Sequence, residues 1–207
     1  MIQRILVPLD GSELSELALY YAEELTWALG AELHLASVCE LAEKGYLHMC
    51  QSYLDEVLRR ARGNIRSYEP QGSQEIKITA ATLEGSPATE ILRYAGDNAI
   101  DLIVLTSHGR SGATSLATGS TSTKIVFHAP QPILLVRANT SFVRPPRKEM
   151  FSKILVPLDG SETGEVALPY VKEITDQLQS ELTLLHVVPT GQYVRTFGGL
   201  KYFLFPE

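Results

Sequence analysis

The sequence predicts an α/β fold: an open, mainly parallel five-stranded sheet with helices on both faces, followed by an incomplete second copy of its opening unit. Three observations lead there. Short β-branched and Leu-rich runs alternate with helical patterns along the first 138 residues, which implies right-handed crossovers and a parallel sheet. DLIVLT (101–106) is continuously apolar, as a central strand buried on both faces must be. Finally, the segment starting at Arg4 repeats from Lys153 without a gap, with about twenty of thirty-five aligned positions identical.

Each copy of the repeat opens with an apolar strand, turns at PLDGS, continues as an amphipathic helix and ends in a second apolar run. After the first copy, apolar residues spaced three and four apart predict a helix over 46–66. EIKITAATL (75–83) alternates like a strand. GSPATEILRYAGDNA (85–99) starts a helix with Ser86 as N-cap and Pro87 at the first helical position. A further helix near 120–128 and a last strand at PILLVR (132–137) complete the first domain, 1–138. The stretch 139–150, with two prolines and mixed charge, reads as a linker. Residues 151–207 supply strand, helix and strand before an aromatic tail. Such a fragment has two unpaired sheet edges and an uncovered face, so it should dock on the first domain or another chain.

With 207 residues, 44% hydrophobic and 20% charged, the chain suits one or two compact units. A net charge of −6 argues against general nucleic-acid binding, which needs a basic face. Cys39 and Cys50 fit no metal-ligand spacing and are expected to be two reduced thiols. The N-terminus has no signal-peptide pattern, and no run reaches the ~18 apolar residues of a membrane span. The expectation is a cytoplasmic protein without membrane or nucleic-acid partners.

In an open parallel sheet, ligands bind beyond the carboxyl ends of the strands, where successive connections leave in opposite directions. Two segments occupy that position: Pro8, Leu9 and Asp10 of the PLDGS turn, and TSHGRSGATSLATGSTSTK (106–124). The second divides into a loop containing His108, Gly109, Arg110 and Gly112, and a helix start at Gly119, Ser120 and Thr121. A helix N-terminus presents unpaired N–H groups and favours phosphate, although an ordinary loop and N-cap has the same composition. Neither a Walker loop nor G-x-G-x-x-G is present.

ILVPLDGS, GSPATEIL and T-S-H-G-(nine residues)-G-S followed by APQPILLVR resemble the universal stress protein family. The likeness covers the first domain and, through the repeat, the shortened second one, so the chain resembles a tandem member. The resemblance implies an adenine nucleotide alpha hydrolase-like fold and, in ATP-binding members, a G-x-x-G-(nine residues)-G-[ST] motif. Here Thr106 stands at the first glycine position, Gly109 at the second and Gly119-Ser120 at the close. A β-branched residue there restricts φ and brings a Cβ toward the ligand.

By that resemblance Asp10 lies near the ribose or a metal, Val38 borders the adenine, and Gly109, Gly119, Ser120 and Thr121 hold phosphates. Pro8 shapes the turn. From the residues alone, Asp10 equally orders the PLDGS turn, Ser12 is a helix cap, His108 faces solvent or phosphate, and Arg110 sits on the surface or pairs with phosphate. Tyr20, Tyr21 and Trp27 are assigned to packing.

The functional expectation is an ATP-binding regulatory or signalling protein of the stress response, with Mg2+ or Mn2+ bridging the phosphates. The rival is an interaction module of the same fold that works through dimerisation without nucleotide. Enzyme motifs of the HIGH or SGGxDS type are not visible, nor is a Ser-His-Asp arrangement, so at most weak ATP hydrolysis is expected. Association as a homodimer is expected through Ile133–Arg137 or through the 151–207 segment.

Overall fold

In a computed structural model, the structure describes residues 1–40, 44–67, 75–108, 119–137, 150–186, 193–197 and 200–204. The chain divides into two compact units, Met1–Met150 and Phe151–Glu207.

The first unit is built from β1 (Arg4–Leu9), α1 (Glu13–Leu29), β2 (Glu32–Cys39), α2 (Lys44–Arg66), β3 (Ile78–Glu84), α3 (Pro87–Asp97), β4 (Leu102–Thr106), α4 (Ser120–His128) and β5 (Ile133–Val136). The five strands form one sheet in the order β3-β2-β1-β4-β5, every pair parallel. The chain therefore winds outward from β1 to β3 and then crosses back to β4. That reversal places a crevice between the carboxyl ends of β1 and β4.

Strand alternation sorts the core. Leu6, Ala36, Ile103 and Leu105 pack with Ala88, Ile91 and Ala95 of α3 and Ile125 of α4. Their strand neighbours Ile5, Val7, Leu33 and Leu35 are also fully buried, and point to the opposite face, where α1 and α2 pack on the sheet. Fully burying one such side chain contributes roughly 1.5–3 kcal/mol.

Local signals set the ends of α1. Ser12, in an extended conformation, accepts a hydrogen bond from the Ser15 N–H at 3.1 Å, as the predicted cap. Gly30 closes the helix in the left-handed region, φ 63°. Ser86 occupies the N-cap position of α3 with Pro87 in the first turn, but its side chain makes no capping hydrogen bond. Trp27, assigned to packing, is 40% exposed.

The second unit repeats the opening architecture in part. β6 (Lys153–Leu158) pairs in parallel with β7 (Glu181–His186). Their register, Lys153 to Glu181 onward, copies that of β1 and β2, Arg4 to Glu32 onward. Between them the single helix of the first copy becomes two, α5 (Glu162–Glu165) and α6 (Leu168–Leu178). Pro169, in the first turn of α6, explains the break: proline lacks the N–H that a continuous helix needs there. The aromatic tail holds a second, antiparallel pair, β8 (Tyr193–Phe197) with β9 (Leu200–Leu204), which the sequence reading left without structure.

The two cysteines, expected as separate thiols, are neighbours in the fold. Cys39, the last residue of β2, and Cys50, in α2, lie side by side with Cα atoms 6.7 Å apart. The turn from strand into helix brings together two residues eleven apart in sequence, a proximity that ligand-spacing rules do not register. No described helix is long and apolar enough to cross a membrane.

Candidate functional site

A cleft of about 250 Å³ opens at the predicted crevice. Pro8, Leu9 and Asp10 line it from the end of β1, Val38 and Glu40 from the end of β2, and Thr106 and His108 from the end of β4. Gly119, Ser120, Thr121 and Ser122 close it from the start of α4. Among the described residues, nothing fills the space between the first turn and α4. Of the sequence-predicted residues, nine meet here: Pro8, Leu9, Asp10, Val38, Thr106, His108, Gly119, Ser120 and Thr121. Gly109, Arg110 and Gly112 lie outside the described residues.

The PLDGS turn is held by its own carboxylate. Asp10 Oδ1 accepts from the Ser12 N–H at 3.0 Å and from the Ser12 hydroxyl at 2.6 Å. Gly11 takes φ 85°, a conformation that costs a residue with a Cβ about 1–2 kcal/mol. Asp10 therefore orders the turn while also bordering the cleft. Of the two readings open in the sequence, the structure shows the turn-ordering one and sets the same residue beside the cleft.

Thr106 fits the strand end because its hydroxyl turns back on the chain. Its Oγ1 donates to the His108 carbonyl at 2.7 Å, and its own carbonyl accepts from the Ser122 hydroxyl at 2.8 Å. The second bond ties β4 to α4 across sixteen residues. His108 Nδ1 lies 3.1 Å from Ser107 Oγ, and its buried Nε2 has no hydrogen-bond partner among the described residues.

Gly119 is the N-cap of α4 at φ −60°, a backbone any residue adopts. Its N–H is already committed, donating to the Ser107 carbonyl at 2.7 Å. A Cβ at this position would meet that oxygen at 3.5 Å, an ordinary contact. Nothing in the described protein thus demands glycine here. The N–H groups that lack an intrahelical acceptor at this end belong to the following residues, in the first turn of α4.

The walls divide by chemistry. Pro8, Val38, Pro87, Ile91, Leu105 and Ile125 form an apolar side, and Ser120, Thr121, Ser122 and His108 a polar one. Among the described lining residues there is no Lys or Arg, while Asp10 and Glu40 bring carboxylates. No described group of three or more His, Cys, Asp or Glu residues is arranged to hold a metal. The sequence reading missed Ser15, Glu40, Pro87, Ile91, Leu105, Ser122 and Ile125 as lining residues. Pro87 and Ile91 were recoverable from the GSPATEIL helix start, which points one turn of α3 at the crevice.

Fold and cleft together define a doubly wound α/β protein with a ligand-sized crevice at its topological switch point. The chain belongs to the universal stress protein family: the family model matches residues 1–137 and 150–200. It is 30% identical over 148 residues to the universal stress protein YxiE of Bacillus subtilis, covering 66% of this chain and all of that protein. Among solved structures, universal stress protein UspA from Lactobacillus plantarum is similar with TM-score 0.58 and 23% identity, over 66% of this chain and 98% of that one. A universal stress protein from Archaeoglobus fulgidus is similar with TM-score 0.67 and 21% identity, over 89% of this chain and 67% of that one.

Proposed function

We propose that this chain is a tandem-type universal stress protein whose first domain, 1–138, binds an adenine nucleotide, while 151–207 is a partial second copy joined through 139–150. Occupancy of the first domain biases assembly or partner binding in a stress response. The observation that carries this reading is the two-sided cleft. Its apolar wall, with Val38 and Ile91, suits a purine; its polar end, with Ser120 and Thr121 at the start of α4, suits phosphate.

Charge balance favours ATP bound with Mg2+ or Mn2+. The described walls contribute carboxylates and no Lys or Arg, so a polyphosphate entering bare would face Asp10 and Glu40 without an opposing side-chain cation. A divalent ion carried on the phosphates removes that conflict, with Asp10 as the protein group placed to face it. Gly109, Arg110 and Gly112 are assigned to the phosphate loop and His108 to its edge. The reading assigns no turnover at enzyme rates; sustained hydrolysis near the ~1–10³ s⁻¹ of enzymes would contradict it.

A second reading has its own support. Thr106 replaces a glycine of the ATP-binding motif, which favours a nucleotide-free module acting through dimerisation. The edge strand β5, with Leu135 40% exposed, and the open edges of β6 and β7 are the proposed contact points. Thermal unfolding with increasing MgATP separates the two. A ligand selective for the folded state raises the unfolding temperature once its concentration passes its dissociation constant. A midpoint that stays fixed up to millimolar MgATP supports the module instead.

A further inference from the structure

The outer strand β3 pairs with β2 on one side and with no described strand on the other. Its register against β2 runs unbroken from Ile78 to Glu84, without a bulge. The Lys77 carbonyl accepts from the Leu33 N–H at 3.0 Å, and the Gly85 N–H donates to the Cys39 carbonyl at 3.2 Å. The odd-numbered residues therefore turn their backbone groups to β2. Successive residues of a strand alternate in this respect, so the N–H and C=O of Ile78, Ala80, Thr82 and Glu84 face outward. ITAATLE (78–84) contains neither Lys nor Pro, the residues that commonly blunt an open edge.

The edge is also polar along its length. Beside α2, the carboxyl end of β3 borders a cavity of about 330 Å³ lined by Asp55 and Glu84, with no described Lys or Arg. The amino end borders one of about 370 Å³ lined by Arg62, Arg66 and Lys77, with Glu75 as its one described carboxylate. Arg66 and Lys77 already have carboxylate partners in their own chain, Glu75 at 2.8 Å and Glu32 at 3.0 Å. Arg62 instead reaches over the edge and donates to the Ile78 carbonyl at 3.3 Å.

We propose that the β3 edge docks a second copy of this chain, the two β3 strands pairing antiparallel about a two-fold axis beside Ala81. In the register that overlaps the whole strand, Ile78 stands opposite the partner's Glu84 and Ala80 opposite the partner's Thr82. Outward-facing residues then meet outward-facing residues, as an antiparallel ladder requires. The short side chains of Thr79, Ala80, Ala81 and Thr82 leave room for the usual strand spacing of about 4.8 Å. The two-fold inverts the edge, so the acidic end of each copy lies against the basic end of the other. Arg62, already at the Ile78 carbonyl, comes beside the partner's Glu84, and the symmetry makes that pair twice. An edge of one sign would repel its own copy; this one is self-complementary. The surface is separate from the cleft, from β5 and from the 151–207 segment, and its pairing requires no nucleotide.

The test measures the mass of the full chain by sedimentation across micromolar concentrations, with amide hydrogen exchange followed residue by residue over 78–84. The expected result is a mass that rises with concentration, together with slower exchange at Ala80, Thr82 and Glu84 in the associated state. Thr82→Pro removes an outward N–H and leaves the bonds to β2 in place, since proline is tolerated where the N–H faces away from the sheet. It should halve the mass at a concentration where the wild type is associated. Glu84→Arg and Arg62→Glu should each weaken association about tenfold, by setting like charges across the strands. Combining them should restore it, a recovery that a folding defect does not produce. Should Thr82→Pro fail to fold, the charge exchange decides. A single-chain mass throughout, a mass unmoved by all three variants, or edge amides indifferent to concentration overturns the proposal. Association that persists in these variants with protection confined to 133–136 places the contact at β5 and overturns it equally.

Discussion

The PLDGS turn occurs twice, and its two settings differ far more than its two sequences. Asp10 and Asp159 order their turns alike: each Oδ1 accepts from the N–H and hydroxyl of the serine two residues on, Ser12 at 3.0 and 2.6 Å, Ser161 at 2.9 and 2.7 Å. The glycines between them take φ 85° and 79°. Around the first turn, however, β4 and α4 supply the opposite wall of a cleft. Around the second, the described residues of its unit supply a two-stranded parallel sheet, with β7 exposed along its length. The lesson is that the turn is a local structure, stable wherever its few residues occur, and that a site requires the crossover strand and helix that face it.

The largest expected contrast is in the core. Leu6 is fully buried, whereas its repeat counterpart Leu155 is 59% exposed. Leu6→Ala should destabilise the first unit by about 2–5 kcal/mol in urea unfolding, and Leu155→Ala by less than about 0.5 kcal/mol. Equal losses would mean that the second sheet is as covered as the first.

Next comes the cleft itself. Gly119→Ala introduces a Cβ that the described protein tolerates, so the stability cost should stay under about 1 kcal/mol, that of a weaker N-cap. On the proposed reading MgATP affinity should fall about tenfold, because Gly119 lines the cleft and an added methyl would narrow its phosphate end. Unchanged affinity would remove Gly119 from the site.

The two serine caps sharpen the comparison at smaller scale. Ser12 caps the seventeen-residue α1 and Ser161 the four-residue α5. Ser12→Ala should cost about 1 kcal/mol in chemical denaturation. Ser161→Ala should leave the main transition unmoved, since its helix is a single turn with no buried residue.

Smallest is a pH effect confined to the first copy. His34, buried, has its Nε2 3.5 Å from Glu32 Oε2 and its Nδ1 3.0 Å from the Tyr94 hydroxyl. Burial outweighs the carboxylate and lowers its pKa. The unfolded chain then binds a proton that the folded chain refuses, so stability is complete above the unfolded-state value of about 6.5 and declines as pH falls below it. Glu32, held low mainly by the Lys77 ammonium, adds a second loss at more acidic pH as its carboxylate is protonated. The counterpart of His34 is Thr183. His34→Thr should flatten the stability profile between about pH 6.5 and 5, measured by urea midpoints across that range.

Much of this was legible in sequence because the signals were local or repeated. The ILVPL runs, the Ser12 cap and the GSPA start each act over a few residues, and each stands where the pattern placed it. What escaped depended on distance or on competing detail. Pro169 replaces the counterpart Tyr20 and splits a helix that overall homology to α1 suggested would continue. β8 and β9 flank Gly198-Gly199, a hairpin signal hidden inside a run read simply as aromatic. The Cys39–Cys50 contact and the Thr106-Ser122 tie arise only once the sheet brings residues together, and no spacing rule encodes them.

Calorimetric titration of the purified chain with MgATP tests the central claim most directly, because it counts sites. One site per chain is predicted, with the heat diminished in Gly119→Ala. Two sites would show that the second PLDGS copy binds without a facing strand, and no heat at millimolar nucleotide would contradict the cleft's assignment altogether.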